Sequence, residues 1–224
     1  MSRKFRIVRA ESFRGRRFQA RLEGRSRLVL DARTLRQARK IVRSVERSGD
    51  RALLEAARRL DGSKAATAAE LALAPRPEDA GWTNLPEGFA DALERVIEAV
   101  TDFHRLQVHP GYRLESEGVE LTERRQGLGR VGVYVPGGRA SYPSTAVMTV
   151  IPAQLAGVGE VVAVTPPRSY LQMPALRYTL VRLGVKEIWG VGGAQAVAAL
   201  ADGTETVRRV EKIVGPGNAW VTAA

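Results

Sequence analysis

Three polar residues stand beside glycine-rich turns in this sequence. Tyr134 precedes Val135-Pro136-Gly137-Gly138, Gln195 follows Gly192-Gly193, and Asn218 follows Gly215-Pro216-Gly217. An aromatic ring can stack on a planar base, and two amides offer both donors and acceptors. Glycines let the backbone approach a phosphate or a ribose closely. Together these residue types describe a nucleotide cradle, with Tyr134, Gln195, Asn218, Gly137, Gly138 and Gly193 as the candidate cofactor-binding residues. Glycines also make tight strand-to-helix turns, so one such loop says little and three on one edge say more. The dinucleotide fingerprint G-x-G-x-x-G follows none of the strands.

Catalytic chemistry is harder to read. His104 and His109 are five residues apart, which is not the i, i+4 spacing that presents two ligands on one helical face, and their reading is a helix-end packing or hydrogen-bonding role. No Ser-His-Asp set, phosphate-loop lysine or convincing carboxylate pair accompanies them. The sequence holds 0 cysteines, which excludes disulfides, thiolate nucleophiles and cysteine zinc clusters. Binding is legible here and catalysis is not.

The elements that must position the candidates follow from periodicity. Leu35, Ala38, Ile41, Val42 and Val45 recur at helical spacing until Ser48-Gly49-Asp50 breaks the run, and a second helix through Leu53, Leu54, Ala57 and Leu60 stops at Asp61-Gly62. Residues 63–86, with Pro75, Pro77 and Pro86, suggest a short helix between loops. An amphipathic helix is expected from Glu87 to Gln107, and alternation around Ser116-Glu117-Gly118 signals a hairpin.

After Gly129 the pattern becomes strand, glycine loop, helix, repeated. Strands are expected at Arg130–Val135, Glu160–Thr165, Glu187–Val191 and Glu211–Val214, with helices near Ser144–Ala156, Pro174–Leu183 and Ala194–Ala201. Such alternation implies right-handed crossovers and a doubly wound parallel sheet, an α/β fold. Pro152 should kink the first of these helices. A domain boundary is placed near Gly129, dividing a helical region with a hairpin, 1–129, from a nucleotide-binding region, 130–224.

Composition sets the outer limits. The 224 residues can bury a real core, and no run approaches the ~18 apolar residues of a membrane span. The Arg-rich start lacks an apolar signal core, so no targeting peptide is expected and the chain reads as cytoplasmic. Residues 1–60 hold 19 Lys and Arg against 6 Asp and Glu, while the remainder holds 16 against 18. A basic end can bind nucleic acid through phosphate neutralisation, yet no aromatic interleaving accompanies the charge. It is read as solvated helical surface, with no nucleic-acid partner expected.

Three consecutive blocks then carry a family resemblance. VYVPGG at 133–138, VGGAQA at 191–196 and KIVGPGN at 212–218 occur in the order and frame of histidinol dehydrogenases, and the chain resembles that family from Gly132 onward. The earlier half is similar more loosely, through RSGDRALLEAARRLDG at 47–62 and DFHRLQ at 102–107.

The resemblance implies a Rossmann-like NAD-binding domain without the usual fingerprint, and an enzyme oxidising L-histidinol to L-histidine through histidinal with NAD. It also implies a zinc-dependent homodimer acting in the last step of histidine biosynthesis. Carried over by motif, Tyr134, Gln195 and Asn218 are its NAD contacts. In that family the zinc ligands, the substrate-binding serine and a Glu-His acid–base pair lie beyond the segment matched here. The chain is therefore expected to be the N-terminal half of such an enzyme. Alone it should lack activity, and it should expose apolar surface, because the first domain of the family is discontinuous. The alternative is a shortened, non-catalytic nucleotide- or partner-binding protein derived from the family.

Overall fold

The computed structural model describes residues 11–27, 30–73, 85–137 and 142–224. Pro75, Pro77 and Gly138 lie outside the described residues. Helix α1 spans Phe13–Arg27, and α2 spans Ala32–Ala56 after an Asp31 cap whose Oδ1 accepts from the backbone N–H groups of Arg33 and Thr34, both at 2.9 Å. The expected break at Gly49 is present as a non-helical residue inside α2, with φ 48°. This kink is tied down from afar: Asp50 N–H donates to Glu205 at 2.7 Å, and the Thr206 hydroxyl donates to Asp50 at 2.8 Å. A single π-type turn, Ala57–Asp61, ends the helix at Gly62. Of the short helix expected in 63–86, the described residues form a 3-10 turn, Ala69–Leu71.

Helix α3, Phe89–Arg105, matches the amphipathic pattern, and the hairpin follows as β1, Tyr112–Ser116, and β2, Val119–Glu123. Tyr112 pairs with Glu123 and Leu114 with Leu121, so Tyr112, Leu114, Leu121 and Val119 share one face of the hairpin. All four are more than half exposed, as are Phe103 and Leu106 at the end of α3. These six residues give the hairpin and the end of α3 an exposed apolar surface.

The parallel sheet contains β3, Arg130–Tyr134; β4, Glu160–Val164; β5, Glu187–Trp189; and β6, Lys212–Val214. Its order is β5-β4-β3-β6. The intervening helices are α4, Pro143–Leu155; α5, Pro167–Gln172; α6, Pro174–Arg182; and α7, Gly193–Asp202; α8, Ala219–Ala223, follows β6. Alternate strand residues feed two separate cores. Val133, Val135 and Ala163 join α3, α4 and α6, whereas Tyr134, Val162 and Val164 join α2 and α7. Both faces of the sheet are therefore covered, which is why its central strands read as continuous apolar runs.

Helix α4 runs through Pro152 to Leu155, as the expected span did; the proline falls near the helix end, where few later backbone bonds depend on it. Two details differ from the periodicity reading. Strand β5 stops at Trp189, since Gly190 N–H turns to Leu71 O at 2.7 Å, while Leu73 N–H bonds Ile188 O at 2.7 Å along the sheet edge. Helix α5 was not anticipated. Pro166-Pro167 looks like a loop, yet a proline at the first helical position is favourable because its missing N–H would be unpaired anyway.

The strand entrances are fastened by charge. Arg130, with a side chain 9% exposed, pairs with Glu160 and, at 2.6 Å, with Glu187; Glu187 also accepts from Trp189 Nε1 at 2.7 Å. Arg208 completes the cluster on Glu160. The hydrogen bond from Arg130 holds the Glu160 carboxyl below its usual range. This cluster is structural and stands at the opposite end of the sheet from the glycine loops.

Candidate functional site

The sheet runs in one direction from β3 through β4 to β5, then returns to place β6 on the other side of β3. Strands β3 and β6 therefore bracket a topological switch point, the place where open α/β sheets form a ligand crevice at their carboxyl ends. A cleft of about 900 Å³ opens there. Tyr134, Gly137, Gly193, Gln195 and Asn218 all line it, so the described candidates from separate loops converge. Its other wall comes from α2 and the following turn, including Lys40, Glu55, Arg59 and Asp61.

Each candidate is held differently. Tyr134 is 3% exposed, and its phenolic oxygen accepts from Gly193 N–H at 3.0 Å. Burial pushes the Tyr134 phenol up, the Gly193 bond opposes this, and the Asp61 charge adds to the rise. Gln195, 1% exposed in the first turn of α7, donates through Nε2 to Asp61 Oδ2 at 2.9 Å. Its Oε1 is buried with no hydrogen-bond partner. Asn218 caps α8, its Oδ1 accepting from Trp220 N–H at 3.0 Å and Val221 N–H at 3.2 Å. That cap uses the carbonyl and leaves the exposed amide nitrogen as a donor at the cleft.

The glycines are sterically required. A Cβ on Gly137 would lie 2.5 Å from Ser169 Oγ and 2.7 Å from Pro166 Cγ. Gly193 has φ +62°, which side-chain-bearing residues rarely adopt, and a Cβ there would stand 3.0 Å from Gln195 Oε1. Gly215 lets β6 leave the sheet against β3: its Cβ would meet Tyr134 O at 2.2 Å.

Asp61 is the residue that sequence reasoning missed. Its Oδ2 accepts both Gly192 N–H, at 3.1 Å, and Gln195 Nε2. Burial pushes its carboxyl above the ordinary value, with the bonds from Gly192 and Gln195 acting in the opposite direction. A carboxylate thus occupies the N-terminus of α7, where an anion is favourable, and Tyr134 takes the neighbouring N–H. The N–H groups of Gly192 and Gly193 are already used by the protein, so the corner beside Asp61 suits a donor-bearing ligand group rather than a phosphate. The Asp61-Gly62 helix stop was visible in the sequence, but nothing local linked it to Gln195.

His104 and His109 are not among the residues lining the cleft. His104 Nδ1 bonds Gln107 Oε1 at 2.8 Å at the end of α3, and His109 Nδ1 accepts from Gly111 N–H at 3.1 Å. Both are thus local helix-end and turn contacts. Among the described residues, no group of three or more His, Cys, Asp or Glu is disposed to hold a metal ion, and no helix is long and apolar enough to cross a membrane.

A family model described as histidinol dehydrogenase matches residues 25–224. The chain belongs to the histidinol dehydrogenase family. A curated histidinol dehydrogenase from Chromobacterium violaceum is 44% identical over 185 residues, which cover 82% of this chain and 43% of the relative. One from Methanothermobacter thermautotrophicus is 41% identical over 220 residues, covering 97% and 50%. The crystal structure of histidinol dehydrogenase from Elizabethkingia anophelis superposes with a TM-score of 0.75 at 29% identity, covering 84% of this chain and 43% of that one. The chain spans about half the length, or less, of these histidinol dehydrogenases.

Proposed function

We propose that this chain supplies the NAD-binding part of an L-histidinol dehydrogenase, a cytoplasmic homodimeric enzyme of histidine biosynthesis. The supporting observation is the convergence of Tyr134, Gln195 and Asn218 on one cleft at the sheet's switch point. The cleft is ample for a nucleotide, its glycines leave no room for a Cβ, and the buried Gln195 Oε1 lacks a donor partner. When bound, NAD would supply the hydride acceptor for oxidation of the alcohol.

The residues of the chain divide the work. Asn218 offers its amide N–H groups, Gln195 offers its unpaired carbonyl, and Tyr134 fixes the Gly193 turn between them. Gly137 and Gly193 allow close approach, and Gly138 belongs to the same proposal by motif. Residues 130–224 carry the sheet and its loops as a Rossmann-like unit, and residues 1–129 form the helical part of a discontinuous domain that contributes the α2 wall.

Zinc, which the resemblance attaches to intact family members, finds no fitting donor set among the described residues, so no step is routed through it. L-histidinol oxidation also needs a base at the alcohol, and the sequence offers no residue pair for that role. The expected behaviour is therefore NAD binding without turnover. Incubating the purified chain with NAD, zinc and L-histidinol should yield no NADH absorbance. Sustained NADH production by the chain alone would overturn this reading of its role.

A further inference from the structure

We propose that Asp61 is a ligand-recognition residue of the cleft, accepting a hydrogen bond from a ribose hydroxyl of the bound nucleotide through Oδ1. This rests on the nucleotide reading of the same cleft. The two carboxylate oxygens are unequally used. Oδ2 holds Gly192 N–H and the Gln195 amide, whereas Oδ1 has no hydrogen bond among the described residues and stands 3.0 Å from where a Cβ of Gly192 would be. The side chain lines the cleft, so the free oxygen is available to a ligand there.

The chemistry narrows the partner. An ionised carboxylate accepts only, and it repels phosphate oxygens. Gly192 and Gly193 have already given their N–H groups to Asp61 and Tyr134, so a phosphate beside Asp61 would find repulsion and no donor from these two residues. Hydroxyl donors on a ribose fit the available acceptor. An acidic side chain on a ribose hydroxyl is also the solution of many dinucleotide-binding folds, where the acid follows a strand. Here it arrives instead from the turn after α2, 131 positions before Gly192. Through Oδ2 the same side chain orients Gln195, presenting Nε2 to the protein and leaving Oε1 for a ligand donor.

The test is calorimetric titration of the unaltered chain and of Asp61→Asn with NAD, and with two NAD analogues in which both hydroxyls of one or the other ribose are replaced by hydrogen. NAD should bind the Asn variant about tenfold more weakly, the usual scale for a hydrogen bond to a charged group. One analogue should bind the unaltered chain about tenfold more weakly than NAD, and that penalty should vanish in Asp61→Asn. A merely structural aspartate would lower affinity for all three ligands equally, and that result would overturn the proposal. So would equal affinity of the unaltered chain for NAD and both analogues, which needs no variant to fold. Failure of the unaltered chain to bind NAD at all would remove the nucleotide reading and this proposal with it, whereas NAD binding indifferent to Asp61→Asn would remove this proposal alone.

Discussion

Asp61 and Gln195, separated by 134 positions in sequence, are joined by a 2.9 Å hydrogen bond from the Gln195 amide to the Asp61 carboxylate. The bond couples the turn after α2 to the first turn of α7 and fixes which end of the Gln195 amide remains free. It also buries part of a carboxylate, and the consequence is a pH-dependent stability. Burial raises the native pKa of Asp61 above its ordinary 3.8, so between 3.8 and the raised value the native state holds more proton than the unfolded state. Stability from this group is therefore greatest below that window and is lost as pH rises through it. Urea unfolding of the unaltered chain and Asp61→Asn across pH should show their stability difference shifting against the unaltered chain as pH climbs, then levelling. A shift in favour of the unaltered chain would contradict the sign.

Gly193→Ala combines two penalties. The left-handed backbone costs an alanine about 1–2 kcal/mol, and the added methyl would press on Gln195 Oε1. Thermal melting should report that loss. NAD affinity should fall as well, because the Gln195 carbonyl is displaced. An alanine variant with unchanged NAD affinity would show that Oε1 does not face the ligand.

At Gly215 the strain falls on the sheet rather than the cleft alone. A methyl 2.2 Å from Tyr134 O must push β6 away from β3, at the very point where the two strands bracket the switch. Gly215→Ala should destabilise by about 2 kcal/mol or more, within the upper range of single substitutions that create overpacking. Wild-type stability in this variant would mean that β6 leaves the sheet along a different path.

Removing the cation at the strand entrances should act on stability without touching the cleft. Arg130→Ala leaves Glu160 and Glu187 without their shared partner, but both are partly solvated, so the expected cost is about 1–2 kcal/mol. NAD affinity, measured below the melting temperature, should stay unchanged. An affinity loss comparable to that of Gly193→Ala would show that the two ends of the sheet are coupled.

Much of this architecture is legible in the residue pattern, because each buried strand is a short apolar run ending in glycine and each helix has a clear period. The converging trio Tyr134, Gln195 and Asn218 was legible for the same reason, since strand ends of a parallel sheet share one edge. Asp61 was not. Its role depends on a tertiary contact, and locally it is only the last polar residue before a helix-ending glycine. The covered edge of β5 escaped notice likewise, because the pairing of Leu71 and Leu73 with the strand joins segments more than a hundred residues apart. Helix α5 was hidden by its own proline.

The most direct measurement is an amide chemical-shift titration of the 224-residue chain with NAD. Binding in the switch-point cleft predicts saturable shifts concentrated at Gly193, Gln195 and its side-chain amide, Asn218 and Trp220, with the hairpin 112–123 unmoved. Absence of saturable shifts, or shifts confined to α1 or the hairpin, would contradict the assignment of this cleft as the NAD site.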